Sequence, residues 1–163
     1  MSPRLRKGLI VAALHLALVA SLGGKMLADR AMRPRVWARV VPFDPDLPIR
    51  GRYVRMAIEG AADETVQSAY DGYFQPAVRD NALIFVPAGD GHLYGVTQQR
   101  DGRYVVRLRE PLAYFIPEHV PDPSMRAGGE ELWVEVTLPR SGAPRPIRLG
   151  VMKGGSLSPL DIR

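Results

Sequence analysis

The sequence predicts a mainly β protein, in which an N-terminal transmembrane helix precedes a small antiparallel β-sandwich or partly open barrel. Sixteen Gly and 15 Pro in 163 residues interrupt the chain too often for many long helices. One apolar run lies near the N-terminus, and short alternating segments separated by turn signals follow it. We therefore expect a membrane anchor with basic flanks over residues 1–34 and a single β-rich domain over residues 35–163.

The anchor is predicted from the apolar run at residues 8–24, which is 17 residues long and contains one titratable residue, His15. A helix needs roughly 17 to 25 apolar residues to cross a bilayer, so this run predicts contact with the lipid bilayer through residues 8–24. Two alternatives remain open at this point. A cleaved signal peptide would use the small residues at 19–21, and a soluble helix would bury the run.

The positive charge of the chain belongs to this N-terminal segment. Residues 1–40 hold eight Lys or Arg and one Asp, a balance of +7, whereas the rest holds 14 basic and 16 acidic residues, a balance of −2. A nucleic-acid-binding domain needs a basic face to replace counterions on phosphates, so we expect no nucleic-acid partner. A basic collar beside an apolar run instead suits anionic lipid headgroups.

The predicted location is the inner (cytoplasmic) membrane, crossed once, with an extracytoplasmic body. The short N-terminal tail, with Arg4, Arg6 and Lys7 next to the apolar run, is typical of a signal-anchor. Five Lys or Arg lie downstream, within residues 25–39, so a plain count of positive charges does not favour this orientation.

The first half of the body predicts two strands and one helix. Residues 37–41 are rich in β-branched and aromatic side chains, and residues 42–48 contain three prolines that exclude a helix. Apolar residues alternate along residues 50–59, which predicts a strand. Residues 63–70 are expected to form a short helix.

The middle of the body predicts a compact apolar strand and a hairpin. Residues 81–86 form the apolar run, which Pro87 is expected to end. Residues 93–99 and 103–108 flank an Asp-Gly pair at 101–102, and this pair readily adopts the positive φ angles of a tight hairpin turn.

The last strands are predicted at residues 132–138 and 147–151, where apolar residues again alternate. They should pair antiparallel, with Glu135 opposite Arg148 on an exposed face. We expect six or seven short strands in all, and a mobile loop at the C-terminus.

No catalytic, metal or cofactor site is predicted from spacing. Lys153 with Ser156 or Ser158 could form a serine–lysine pair, in which a buried lysine activates a hydroxyl. A second loose group, Glu118, His119 and Asp122, has no metal-ligand spacing. These two sets are the basis of one alternative function, a membrane-bound hydrolase.

A binding surface is predicted where basic and aromatic residues alternate. Such side chains on a sheet edge suit a peptide, an acidic partner or lipid headgroups, although charge on an edge strand also prevents unwanted strand pairing. The candidate binding residues are Arg50, Gly51, Tyr53, Arg55, Tyr114 and Phe115.

Residues 44–56 read Asp-Pro-Asp-Leu-Pro-Ile-Arg-Gly-Arg-Tyr-Val-Arg-Met, and this stretch resembles the signature region of the GDYXXLXY proteins, a bacterial family of membrane-anchored proteins. Gly51 and Tyr53 match the motif directly. Arg52, Met56 and Ile58 stand where the motif has Asp, Leu and Tyr. Residues 114–118, Tyr-Phe-Ile-Pro-Glu, are similar to a second stretch of that family, of Phe-Val-Pro-Glu type.

The resemblance implies an N-terminal membrane helix, a small extracytoplasmic β-rich domain and operation beside polytopic inner-membrane proteins. It implies no known reaction, and Arg52 in place of Asp removes any role that depends on that carboxylate. Two functions follow: a non-enzymatic accessory or binding module for a membrane partner, or the hydrolase named above. A binding module fits better, because catalysis needs several groups within hydrogen-bond reach.

Overall fold

A computed structural model describes residues 3–43 and 53–162 of the chain. The chain divides into two compact units, Met1–Arg33 and Pro34–Arg163. The first is a helix and the second is a β domain. The predicted fold class is therefore confirmed.

The first unit is α1 (Pro3–Met32), which extends beyond the predicted run at both ends. Its most apolar stretch, Arg6–Ala28, has 23 residues, and none of it is buried. At 1.5 Å per residue this stretch is about 35 Å long, which exceeds the roughly 30 Å core of a bilayer. The helix is thus long and apolar enough to cross a membrane.

His15 is the titratable residue in the middle of this helix. Its Nδ1 lies 2.9 Å from the carbonyl oxygen of Val11, one turn earlier. A carbonyl only accepts hydrogen bonds, so Nδ1 donates, and the helix backbone supplies a partner for this ring nitrogen. The imidazole thereby has a hydrogen bond that does not require water.

The β domain contains ten strands among the described residues. Strand β1 alternates between buried and less buried positions, as expected for a strand with one face on a core, whereas β2 has four consecutive buried residues, Met56–Glu59. The strands are β1 (Arg35–Pro42), β2 (Tyr53–Ala62), β3 (Asp71–Arg79), β4 (Ala82–Ala88), β5 (Leu93–Arg100), β6 (Arg103–Leu108), β7 (Leu112–Phe115), β8 (Glu130–Thr137), β9 (Arg145–Lys153) and β10 (Ser156–Pro159).

Strand β2 is the centre of the sheet because four strands pair with it. One edge pairs with β1 and then, at Ala61 and Ala62, with β4 in parallel. The other edge pairs antiparallel with β7 and then with β6. Since β4, β3, β5 and β6 also pair in that order, the strands return to β2 in a partly ring-like arrangement.

The remaining strands extend from the first strand. β1 pairs with β8, β8 with β9, and β9 with β10, all antiparallel. The hydroxyl of Tyr114 in β7 lies 3.4 Å from the carbonyl oxygen of Ile147 in β9. This contact joins strand β7 to strand β9.

The core is built from the inward residues of β1, β2, β4, β6 and β8, together with Phe74 of β3 and Leu149 of β9. Burial of such apolar surface is the main stabilising contribution to folding. The largest fully buried hydrophobic side chains are Phe74, Phe85, Met56, Ile58, Leu149, Val106, Val134 and Val136.

The hairpin between β5 and β6 confirms one prediction. Asp101 has φ +49° and Gly102 has φ +76°, and Arg100 pairs with Arg103 across them. Both angles lie in the left-handed region that a two-residue hairpin turn requires. The β3–β4 hairpin uses the same device at Asp80 and Asn81, with φ +51° and +59°.

The pairing of β8 with β9 confirms another prediction. Glu135 lies opposite Arg148, and Arg148 Nε donates to Glu135 Oε2 at 2.7 Å. The environment differs from the expected exposed pair, because the Glu135 side chain is only 10% exposed. A bulge beside Glu135 and the Trp37 ring, 5.3 Å from Arg148 Cζ, account for this burial.

The helix expected at residues 63–70 is wrong, because the segment contains a turn and no helix. Asp63 Oδ1 accepts hydrogen bonds from Thr65 N at 3.1 Å and Thr65 Oγ1 at 2.9 Å. These bonds occur in turns and at helix N-termini alike, and here they accompany a turn in which Val66 N donates to the Asp63 carbonyl oxygen at 2.9 Å. They also lower the pKa of Asp63, with Arg79 making a smaller contribution in the same direction.

Three strands were not expected, namely β3, β7 and β10. β3 contains Pro76, which normally argues against a central strand, but here only β4 pairs beside it. Pro87 likewise lies within β4 and does not end it. The tail predicted as a mobile loop forms β10, and Leu160 and Ile162 pack against the core.

Candidate functional site

The predicted binding residues are only partly brought together. Tyr53 of β2 lies directly opposite Phe115 of β7, with ring centroids 5.5 Å apart in an edge-to-face arrangement. Arg55, on the same face of β2, has its Cζ 5.5 Å from the centroid of Phe43. We call Phe43, Tyr53, Arg55 and Phe115 the aromatic patch.

The aromatic patch faces solvent. Tyr53 is 47% exposed and Phe115 is 58% exposed. Large aromatic side chains that stay open to water and contact one another are typical of sites that bind other molecules. A guanidinium at the margin adds a charged donor to this surface.

Of the other three predicted residues, Arg50 and Gly51 fall outside the described residues, and Tyr114 does not join the aromatic patch. Tyr114 points to the opposite face of β7, where it packs against the core and donates to Ile147. The alternation of a β-strand separates it from Phe115, its neighbour in sequence.

A second site was missed by sequence reasoning and lies at the centre of β2. Glu59 is a charged side chain that is only 3% exposed. Arg39 Nη1 donates to its Oε1 at 3.0 Å, Arg107 Nη2 donates to its Oε2 at 3.3 Å, and Arg100 Nη1 donates to Oε1 as well. Three guanidiniums therefore surround one buried carboxylate.

The sheet register explains this convergence. Glu59 pairs with Arg39 on β1 and with Arg107 on β6, so the three residues form one row across the outer face. Arg100 reaches the row from the end of β5. Arg39 Nη2 also lies 2.9 Å from Oε1 of Glu131 on β8. We call Glu59, Arg39, Arg100, Arg107 and Glu131 the Glu59 cluster.

A cavity of about 360 Å³ opens on this cluster. Both tryptophans of the chain line it, together with four members of the cluster, Arg39, Glu59, Arg100 and Glu131. Leu83, Asp101 and Val105 line it as well. The only sequence signal for this site is the charged Glu59 between apolar neighbours, and its partners lie 20, 41 and 48 residues away.

The residues considered for hydrolysis have ordinary structural roles. Lys153 pairs with Ser156 in the β9–β10 hairpin, but its side chain is 74% exposed and its Nζ donates to Glu130 at 3.1 Å. An exposed ammonium lacks the burial that would activate it as a base. Asp122 accepts from the backbone and hydroxyl of Ser124, both at 2.8 Å, in a local turn.

No group of three or more His, Asp or Glu that could hold a metal ion occurs within residues 3–43 and 53–162. In comparisons with known proteins, no family model, no curated sequence and no solved structure matches this chain. The membership of the GDYXXLXY family stays a prediction that rests on the residues quoted above.

Proposed function

We propose that this chain is a single-pass membrane protein whose β domain is a non-enzymatic accessory or binding module for a membrane partner. An N-terminal apolar helix joined to a β-rich domain is compatible with this arrangement. The observation that carries the proposal is the Arg6–Ala28 stretch, which is predominantly apolar and has none of its most apolar window buried.

The exposed surface of this helix is unfavourable in water. Leu14, Leu18 and Leu22 are 59%, 62% and 62% exposed, and similar values recur on every side. Each exposed Leu loses most of the roughly 1.5 to 3 kcal/mol that full burial of an apolar side chain provides. A helix that is apolar all round is stable in lipid, which supports insertion over a free aqueous helix.

The proposed location is the inner membrane, with the β domain outside the cytoplasm. This orientation follows the signal-anchor character of the N-terminal tail. Fusion of alkaline phosphatase or a fluorescent protein after Arg163 tests it: phosphatase activity is expected from the first fusion. A fluorescent fusion without phosphatase activity would contradict the orientation but leave the anchor standing.

The proposed contact surface is the aromatic patch, and its proposed partner is a polytopic membrane protein. Anchoring keeps the patch at high effective concentration beside such a partner. The resemblance to the GDYXXLXY family, itself a proposal, points to the same class of partner. Aromatic residues and Arg are the side chains that most often contribute strongly to protein interfaces.

Site-specific photo-crosslinking tests the patch in the full chain. A photoreactive phenylalanine at position 115 is expected to form an adduct with one detergent-extracted membrane protein, and Arg55→Glu should abolish it. Tyr94 is the matched control, since it is an exposed aromatic residue at 43% whose ring contacts Tyr73, which is not a member of the patch. Equal adducts from positions 94 and 115, or none from 115, would argue against the patch as the contact surface.

Recovery in membranes tests the anchor separately. The full chain is expected to stay with the membrane fraction after an alkaline wash and to be released by detergent. Release by the alkaline wash alone would refute the anchor, whatever the crosslinking shows.

A further inference from the structure

Three exposed arginines come from one end of the β domain, the end at which the chain enters it from the helix. We propose that Arg35, Arg140 and Arg145, which we call the arginine rim, bind anionic lipid headgroups and hold the β domain against the membrane surface. The inference rests on the proposed membrane anchor, and it goes beyond that anchor because it assigns a lipid contact to the β domain itself.

The strand register brings together arginines that are far apart in sequence. Arg35 on β1 lies opposite Thr137 on β8, and Thr137 lies opposite Arg145 on β9. Neighbouring strands are about 4.8 Å apart, so the backbones of the two arginines are roughly 10 Å apart across the middle strand. Arg140 belongs to the loop that joins β8 to β9 at this same end. The three arginines therefore share one end of three paired strands.

This end of the sheet is also the end that is covalently joined to the helix. α1 ends at Met32 and β1 begins at Arg35, so two residues separate the two elements. A chain spans at most about 3.6 Å per residue, so this link alone keeps Arg35 near the membrane that the helix is proposed to enter. Leu138 N donates to the Pro34 carbonyl oxygen at 3.4 Å, which holds the start of the β8–β9 loop beside the same segment.

The positive charge of the rim is not neutralised by the β domain. All three side chains are exposed, and none takes part in an ion pair within the part of the chain that the structure describes. Glu135 of β8 is already engaged, since Arg148 Nε donates to it at 2.7 Å. Glu110 lines one cavity with Arg140 but forms no ion pair with it. Even with Glu110 counted, the rim keeps an excess of positive charge.

The opposite end of the same strands has its charges paired. β8 begins with Glu130 and Glu131, and β9 ends with Lys153. Lys153 Nζ lies 3.1 Å from Glu130 Oε1, and Arg39 Nη2 lies 2.9 Å from Glu131 Oε1. β9 has nine residues, so its two ends are roughly 26 Å apart at about 3.3 Å per residue. Of these two ends, the one that follows the helix carries the unpaired positive charge.

An anionic bilayer surface matches this arrangement. Guanidiniums bind phosphate oxygens through paired hydrogen bonds, and the sequence already joins the rim to a segment that is apolar enough to enter lipid. Each Lys or Arg near an anionic surface contributes about a fivefold gain in affinity. An acidic segment of a partner protein would offer the same charge, but it would leave the rim unresponsive to vesicles that contain no other protein.

Fluorescent labelling of single cysteines tests the rim, because the chain has no cysteine of its own. Ser141→Cys places the label in the β8–β9 loop, next to Arg140. Ser156→Cys is the matched control, since it replaces another exposed serine, in the hairpin at the other end of β9. The full chain is reconstituted into vesicles of phosphatidylcholine, with or without about one third phosphatidylglycerol, that also contain a lipid with a quencher on its headgroup.

The label at position 141 is expected to be quenched at least about threefold more strongly when phosphatidylglycerol is present. The difference should disappear at an ionic strength of about 1 M, where the Debye length is about 3 Å. The label at position 156 should respond equally to both kinds of vesicle. Equal responses at the two positions, or quenching at position 141 that does not depend on phosphatidylglycerol, would overturn the proposal.

Two charge variants at opposite ends of β9 complete the test. Arg145→Gln should lower the phosphatidylglycerol-dependent quenching at position 141 by about fivefold, whereas Lys153→Gln should leave it unchanged. Both side chains are exposed, and an unchanged tryptophan emission maximum checks that each variant is folded. Equal losses in the two variants would indicate a response to net charge alone and would also overturn the rim.

Flotation of the vesicles separates failure of the rim from failure of the anchor. The full chain is expected to float with both kinds of vesicle, because the anchor needs no anionic lipid. Flotation with both kinds, without any effect of phosphatidylglycerol at position 141, would overturn the rim and leave the anchor standing. Flotation with neither would refute the anchor and the rim together.

Discussion

Replacing Glu59 by Gln should destabilise the β domain more than any exposed charge substitution. The change keeps the shape of the side chain but removes the negative charge that three guanidiniums share. Breaking a buried ion pair by removing one partner costs roughly 3 to 5 kcal/mol. The three arginine side chains are 29%, 36% and 32% exposed, so water solvates them in part and lowers this cost.

We therefore expect Glu59→Gln to lower the free energy of unfolding by about 2 to 4 kcal/mol. This is a large part of the roughly 5 to 15 kcal/mol that holds a typical domain folded. At about 3 °C per kcal/mol for a domain of this size, the midpoint of thermal unfolding should fall by about 10 °C.

Urea unfolding of the full chain in uncharged detergent measures this change, followed by tryptophan fluorescence. Glu130→Gln is the control, since Glu130 pairs with Lys153, whose side chain is 74% exposed. Its cost should stay below about 0.5 kcal/mol, as for most surface ion pairs. A Glu59→Gln cost equal to that of the control would refute the reasoning, because the cluster would then stabilise no more than a surface pair.

Three further changes have defined outcomes. Gly150→Ala should lower the free energy of unfolding by about 1 to 3 kcal/mol, since an added Cβ would lie 2.8 Å from Trp37 Cζ3; an unchanged urea midpoint would contradict this. Asp63→Asn should make the free energy of unfolding less dependent on pH below about 4. The pKa of Asp63 is lowered in the folded state, chiefly by hydrogen bonds from Thr65. The stabilisation that Asp63 provides is therefore present above the unfolded pKa of 3.8 and is lost as the pH falls through the folded pKa. Thermal melts from pH 6 to pH 2.5 measure it, and parallel curves for the variant and the parent would disprove it. Leu14→Arg should shift the chain from the membrane to the alkaline-wash fraction, because Arg at the centre of a span costs roughly 2.5 to 3.5 kcal/mol; full retention would show that the helix is held by something other than lipid.

Local patterns predicted those parts of the fold that depend on neighbouring residues. The apolar run, the Asp101-Gly102 turn and the alternation that places Glu135 opposite Arg148 all follow from residues close in sequence. The segment at 63–70 shows where local patterns fail: the Thr65 N–H bond to Asp63 Oδ1 is one that a helix N-cap also makes, whereas the Tyr70 carbonyl accepts from Thr97 N of β5, a partner distant in sequence.

The candidate sites depend on pairings that the sequence does not display. The prediction grouped Tyr114 with Tyr53, Arg55 and Phe115, but the strand β7 was not expected, and the alternation along it points Tyr114 into the core. The Glu59 cluster needed the positions of five strands, because Glu59 is on β2, its arginines come from β1, β5 and β6, and Glu131 is on β8. Spacing along one chain carries no information on such a row when the strands that form it are distant in sequence.

The pairing of β1 with β8 has a consequence for the synthesis of the protein. Arg35 pairs with Thr137, so about 100 further residues must be synthesised after β1 before its partner strand β8 is available for pairing. The helix precedes both strands in the chain, so it is synthesised before either of them. If the helix inserts as proposed, the sheet closes on a nascent chain that is already held at the membrane, and assembly of this domain is a late event in biogenesis.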